Sequence, residues 1–523
     1  MFGVIYFRWF LNRNFNIKDY CMKRVLVVLL ALFLSIPFCI TAQKISFSDP
    51  DRENISDISF EIIGKLNNKI LIYKNIRSNH RIYVYDQEMN KEKVVDLDFI
   101  PSRTYNIDFV VYADYFYMVY QYQKNSIIHC MAVKMNAGVE RMNEPAEIDS
   151  TRIPVMTDNK IYSMMSSEDK QRIMVFKIQA RNQRFDMVTL LFDRDFTLLK
   201  KARHVTEYNE RREGYDNFSL ANDGSLVFTH VRQSGLRDYS NALDLVTKQP
   251  DQESFVYQPI DLGERYIDNV KLKIDNLNGK YIINTFYYKK NRGSIEGLFI
   301  CFWNKAEAKT ENAVFSEFDD LLRSEAKRSG QLRYAFDDYF IRQVIVKKDG
   351  GFILAAEDFS SDTRNSNNSW NRWDYLYSPY YPSSGYYYYN PYTGYYRPLG
   401  RFSESTRYYY ENIFVLSVNK NGRPEWARII QKDQYDDNTD SFLSFSTMLM
   451  SGEIHFLFNN DRRYQIVTDQ SVLPDGTVKR NPTLKSQEKG YEFMPGLSKQ
   501  VGATQLIIPC SYRGSLSFAK IDF

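Results

Sequence analysis

Short apolar or alternating runs rich in Ile, Val, Tyr and Phe recur along almost the whole chain. They are bounded by Asn, Asp and Gly, which is the pattern of strands separated by turns. Helical periodicity is nearly absent. A turn followed by an apolar strand appears as "LNNKILIY" (66–73), "YADYFYMVY" (112–120), "SEDKQRIMVF" (167–176) and "ANDGSLVFTH" (221–230). It continues as "NLNGKYIINTF" (276–286), "KKDGGFILAAE" (348–357), "MSGEIHFLF" (450–458) and "VGATQLIIP" (501–509). A second strand follows each, for example "RIYVYD", "DMVTLLFD", "GLFICFWN" and "SLSFAKIDF".

These turns are roughly 45–70 residues apart, with one gap near 100, and the period marks a repeat architecture. A four-stranded antiparallel sheet cannot bury both faces alone. Stacking similar sheets radially buries each against the next, and closing the ring protects the ends. The expected fold is all-β, a single β-propeller of seven or eight blades over residues 43–523. Two smaller propellers or sandwiches in tandem are the rival, but no Pro/Gly/Ser-rich linker divides the chain. The last unit ends after its second or third strand, so "KISFS" (44–48) or "ISFEIIG" (58–64) is expected to complete it from the other terminus. One helix is predicted in "FSEFDDLLRSEAKR" (315–328), with Phe315, Phe318, Leu321 and Leu322 on one stripe packed on the ring.

The start of the chain breaks the pattern. Lys23 and Arg24 precede the apolar run "VLVVLLALFLSIPF" and the small-residue exit "CITAQ", the layout of a secretory signal peptide. Cleavage is expected after Ala42, and Met22 is a candidate true start. The run is short of the ~20 residues that a membrane-spanning helix needs, so no integral span is expected after cleavage. A lipoprotein reading through Cys39 meets bulky Phe38 where a small residue is wanted.

Removing 1–42 takes away Arg8, Arg13, Lys18, Lys23 and Arg24 against Asp19. The totals of 68 basic and 64 acidic residues thereby become 63 of each. A neutral chain of mixed charge has no global pull toward nucleic acid. Cys130, Cys301 and Cys510 remain, an odd number, each in an apolar run. They read as small buried hydrophobes and not as a disulfide framework.

Chemical motifs are sparse. No HExxH, GxSxG elbow or phosphate-binding glycine loop occurs, and no cofactor is expected. His129 and His455 lie in apolar strand runs and read as satisfied core histidines. In "DQYDDNTD", Asp436, Asp437 and Asp440 are weak candidates for a hard cation, with a solvated acidic loop as the plainer reading. "EFDD" and "FDDYF" add acids with no visible partner. Paired carboxylates held about 5–10 Å apart can cleave glycosides, but a long chain always contains such pairs.

One stretch stands apart. "YSPYYPSSGYYYYNPYTGYYRPLG" (377–400) has ten tyrosines and lies in an insertion from about 360 to 410. Ordering 24 residues costs on the order of 25–50 kcal/mol, more than stacking its own rings returns. The loop must lie on the ring surface or wait for a partner. Tyrosine is the residue of adaptable recognition surfaces, so Trp370, Trp373, Tyr380, Tyr381, Tyr386, Tyr387, Tyr388, Tyr389, Tyr395 and Tyr396 are the candidate binding residues. A passive low-complexity insertion is the bland alternative.

Asp349, Gly350, Gly351 and Glu357 in "DGGFILAAEDF" combine with Trp426, Ile430, Lys432 and Gln434 in "NIFVLSVNKNGRPEWARIIQKDQ". In these the chain resembles secreted proteins of unknown function from Bacteroidota-type bacteria. The resemblance covers about 345–460 and implies an exported, propeller-like, non-enzymatic protein. The leading expectation is therefore a binding or scaffold protein of the cell envelope, placed in the periplasm, on the outer membrane or outside the cell. Its partner would be an envelope protein or a glycan. The alternative is a secreted glycan- or peptide-acting enzyme with a carboxylate site at the propeller channel.

Overall fold

The computed structural model describes residues 43–523 apart from 154–160, 236–237, 328–329, 364–371, 373–375, 377–405, 438, 461–463 and 487–488. Residues 1–42 and all ten candidate binding residues therefore lie outside the described residues. No described helix is long and apolar enough to cross a membrane.

The body spanning Ile45–Asp522 is built almost wholly of antiparallel strands. Sheets form in chain order from residues 58–96, 104–152, 162–207, 213–317, 339–437 and 445–485, and a last one from 491–522. The 213–317 sheet is two halves, 213–260 and 266–317, bridged through the single pair Ser240–Ile267. In each unit the strands pair in sequence order, as β-hairpins require. The last sheet takes its outer strand, Lys44–Phe47, from the opposite terminus. Ser48 N donates to Phe518 O at 2.9 Å and Asp51 N to Leu516 O at 2.8 Å. "ISFEIIG" instead belongs to the lead strand of the first sheet, Ile58–Leu66.

Successive sheets bury their faces on one another, which explains why most strands are apolar on both sides. Ile63, Tyr73 and Phe116 share a core between the first two sheets, and Phe286, Phe352 and Phe414 share one between the 266–317 half and the next sheet. Ile58, Phe60 and Ile72 of the first sheet pack on Ile507 and Phe518 of the last. The strand Ile58–Leu66 touches the lead strand Thr104–Val111 on one side and Lys499–Gly502 on the other. The first and last sheets are thus neighbours.

Buried amides and one lysine fasten most sheets to the next. Gln121 Nε2 donates to Tyr162 O at 2.8 Å, Asn217 Nδ2 to Val270 O at 3.0 Å, and Asn269 Oδ1 accepts from Ile341 N at 2.8 Å. Gln434 and Asn459 do the same further on, and Lys499 Nζ reaches Ile62 O at 2.8 Å. Asn217 (φ 59°) and Asn269 (φ 42°) sit at bulges, in left-handed backbone that Asn tolerates. The bulge frees each amide from its own ladder to reach the neighbouring sheet.

The predicted helix is shorter than its apolar stripe. It runs Asp320–Ala326, with Asp319 as N-cap accepting from Leu322 N at 2.8 Å. Phe315 lies instead in the strand Lys309–Glu317, and Leu321 points to solvent. Arg323 and Ala326 are its buried residues, and the Arg323 guanidinium donates to Phe318 O, Ile295 O and Glu296 O. Phe318 and Leu322 of the stripe still pack on the core. Cys130, Cys301 and Cys510 are free and buried; burial raises all three thiols, Cys301 to about 12.

Candidate active site

Antiparallel connections alternate between the two ends of a sheet. Turns joining first to second strands lie at one end, and connections joining second to third strands, or one unit to the next, lie at the other. At this second end a cavity of about 230 Å³ is lined by Tyr239, Tyr288, Arg292, Gly293, Asp337, Asp338 and Arg372. Each comes from a connection of that kind: before strand Ser240–Lys248, after Lys280–Tyr288, before Tyr339–Val346, and from the long insertion. Gly293 makes the closest turn, since a Cβ there would sit 2.9 Å from Lys290 O.

Arg372 is the keystone. Its Nε and Nη2 grip Asp268 Oδ2 and Oδ1 at 2.6 and 3.1 Å, the bidentate geometry that suits guanidinium and carboxylate. Its Nη1 donates to Asp337 O at 3.2 Å and to Tyr339 O, and its plane lies 4.0 Å from the Phe340 ring. Tyr288 OH donates to the same Asp268 at 2.5 Å and stacks on Tyr239 at 4.3 Å. Leu376, one helical spacing beyond Arg372, is buried among Phe340, Phe359, Tyr410 and Leu443. The insertion is therefore anchored by an arginine and a leucine among its described residues.

Asp337 is held differently from Asp268. Its Oδ1 accepts from Ile295 N at 2.9 Å. Burial pushes its carboxyl up to about 6, with the charge of Asp338 adding to the rise; the Ile295 bond and Arg372 oppose it. The backbone carbonyl of Asp337 in "FDDYF" thus meets a guanidinium 35 positions further along, which no local spacing announces. Arg372 is a lone charge between Trp370 and Trp373 in an aromatic stretch.

The other candidates go to structural places. Glu357 and Lys432 of the shared motifs form a fully buried pair at 2.9 Å, and Arg342 and Ser444 complete the glutamate's contacts at 3.2 and 2.7 Å. Burial pulls the Lys432 ammonium below its usual range although Glu357 opposes it. Gln434 bonds Lys432, Trp426 Nε1 donates to Pro474 O, and Ile430 is buried. The motif that carries the resemblance is a core lock.

His455 is a satisfied core histidine, 2.9 Å from Asp469. His129 is not: it is partly exposed, bonded to Glu147 at 2.5 Å and stacked on Tyr122. Asp437 pairs with Arg407 at 2.8 Å, and Asp440 accepts from Tyr410 OH at 3.1 Å. Burial raises the carboxyls of Asp436 and Asp440. Among the described residues no three such groups converge on a metal-sized point.

No family model and no curated protein matches the chain. Solved structures similar to it include a chain from a study of two prolyl endopeptidases, 10% identical with TM-score 0.41, covering 88% of this chain and 55% of the other. Prolyl oligopeptidase B from Galerina marginata is 9% identical with TM-score 0.41, covering 90% and 56%. The β-propeller domain of Nup133 from Vanderwaltozyma polyspora is 9% identical with TM-score 0.35, covering 79% and 100%. The chain spans about half the length of the peptidases it resembles. The expectation of a non-enzymatic envelope scaffold is corrected at this point: the first similar structures are peptidases. At these identities the likeness speaks only for propeller-like sheets.

Proposed function

We propose that the protein is an exported, peptide-acting enzyme built on a closed eight-bladed ring, with its acid–base site in the Asp337 pocket. One observation carries the reading: Asp337 holds a carboxyl at about 6 inside a cavity that also presents Asp338, Arg292 and a stacked tyrosine pair. An acid poised near neutrality is what proton transfer to a leaving amide nitrogen needs. In this reading Asp338, as carboxylate, takes a proton from the attacking water while protonated Asp337 donates to the nitrogen. The C–O bond forms, the C–N bond breaks, and the two protons end on Asp338 and the amine. Asp268 is tied up by Arg372 and Tyr288 and does not compete.

The eight-bladed reading is supported by counting the halves of the 213–317 sheet separately, since each has its own lead strand and the two bury a core between them. Export rests on the leader, and kinship with the Bacteroidota-type secreted proteins on the Glu357–Lys432 motif. The test is incubation of the exported chain and its Asp337→Asn variant with a peptide library, with new termini read by mass spectrometry. Cleavage by the wild type, with a pH limb near 6 and at least a hundredfold loss in the variant, is expected. No new termini, or equal cleavage by both, overturns the reading; cleavage of an oligosaccharide panel instead overturns the substrate class.

A further inference from the structure

A second polar cluster lies further down the same two lead strands that carry the pocket. Asn284, in the strand Lys280–Tyr288, has no exposed surface, and neither atom of its carboxamide has a hydrogen-bond partner. Leaving such a group unmatched costs about 1–3 kcal/mol. Its register partner is Lys271, and residues directly opposite on paired strands project to the same side. Among the described residues the Lys271 ammonium makes no hydrogen bond or ion pair. Lys271 is partly exposed and Asp216 exposed, so solvent reaches them in front of Asn284.

The bulge contacts gather the charges. The bond from Asn217 to Val270 O sets Asp216 beside Lys271, and the bond from Ile341 N to Asn269 sets Arg342 beside the same bulge. Burial and Arg342 lower the Lys271 ammonium, while Asp216 opposes this. Arg342 and Lys432 both pair with Glu357, so the cation beside the unmatched amide is Lys271. An amide donor and an ammonium on one side suit a carboxylate.

We propose that Lys271 and Asn284 bind the C-terminal carboxylate of a peptide that enters from the Asp337 pocket. This rests on the peptide-acting reading above. Asp268 and Asp337 precede Lys271 and Arg342 by three and five positions, about 10–15 Å along extended strands. Three or four peptide residues span that length, so the site measures off a short C-terminal fragment.

The experiment uses calorimetric titration of tetra-alanine, as free acid and as C-terminal amide, into the full-length Asp337→Asn variant, which binds without cleaving. The free acid is expected to bind at least tenfold more tightly. Adding Lys271→Met or Asn284→Leu should remove the difference; the latter also keeps the fold, since it deletes an unmatched amide. Equal binding of acid and amide, no binding of either, or an acid preference that survives both changes overturns the proposal. Acid preference without wild-type cleavage would instead sink the enzymatic reading alone, and cleavage that ignores the C-terminus would sink this site alone.

Discussion

The two ends of the sheets are built on different terms. At one end, turns joining first to second strands are short and hand on hydrogen bonds in series. Asp169 N donates to Asn222 Oδ1, and Asn222 N donates to Asn276 Oδ1. Asn278 then lies against Gly350, a left-handed turn glycine at φ 86°. At the other end the connections range up to the insertion between the paired Thr363 and Thr406. Among the described residues the insertion is held by the buried Arg372–Asp268 charge pair and by Leu376. Many small equivalent contacts stabilise the first end, and a few expensive ones hold the second. Chemistry accumulates where the connections are free to differ, as loops on a rigid scaffold usually do.

Breaking the keystone should have the largest effect. Arg372→Met strands the Asp268 carboxylate, and we expect about 3–5 kcal/mol of lost stability, measured by urea unfolding. Adding Asp268→Asn should restore much of it; a single variant as stable as wild type would show that the insertion is not anchored there. Acid comes next. His80 and His204 are buried and lowered from 6.5 to about 4. Histidines depressed in the folded state contribute stability present above 6.5 and lost as pH falls toward 4, about 2–3 kcal/mol each at most. The melting temperature should fall through that window, and His80→Phe should flatten the fall.

Asp337 has the opposite sign. Its raised carboxyl costs stability as pH rises from 4 through 6, so Asp337→Asn should stabilise by about 1–2 kcal/mol at pH 7 and by almost nothing at pH 4. A pH-independent effect would remove the cavity's claim on its proton. The smallest functional change is expected at the regular end. Asn276→Ala should cost about 1–2 kcal/mol, since its side chain accepts from Asn222 N and donates to Glu168, and leave peptide cleavage unchanged.

The regular end was legible from the chain because its physics is local. Turn residues and the strand that follows lie within ten positions, so "ANDG", "NLNG" and "KKDG" announced both the hairpins and their repeat. Both termini entering one region also followed, since a unit that stops short needs a strand from elsewhere. The pocket was not legible. "FDDYF" was visible as acid without a partner, and Arg372 had no apolar period or spacing to tie it to Asp268, 104 positions earlier. The helix misled for a related reason: its stripe was apolar, yet carbonyl oxygens of Ile295 and Glu296 drew Arg323 inward. Long-range charge pairing leaves no periodic trace.

The strand Lys44–Phe47 makes the molecule intolerant of sloppy trimming. Lys74, with no exposed surface, holds Asp51 just beyond that strand at 2.7 Å. A protease that removed ten residues too many would take away a stave of the last sheet and leave a bare ammonium against Tyr83 and Phe518. Until residues 515–522 have left the ribosome, moreover, that strand has nothing to dock on.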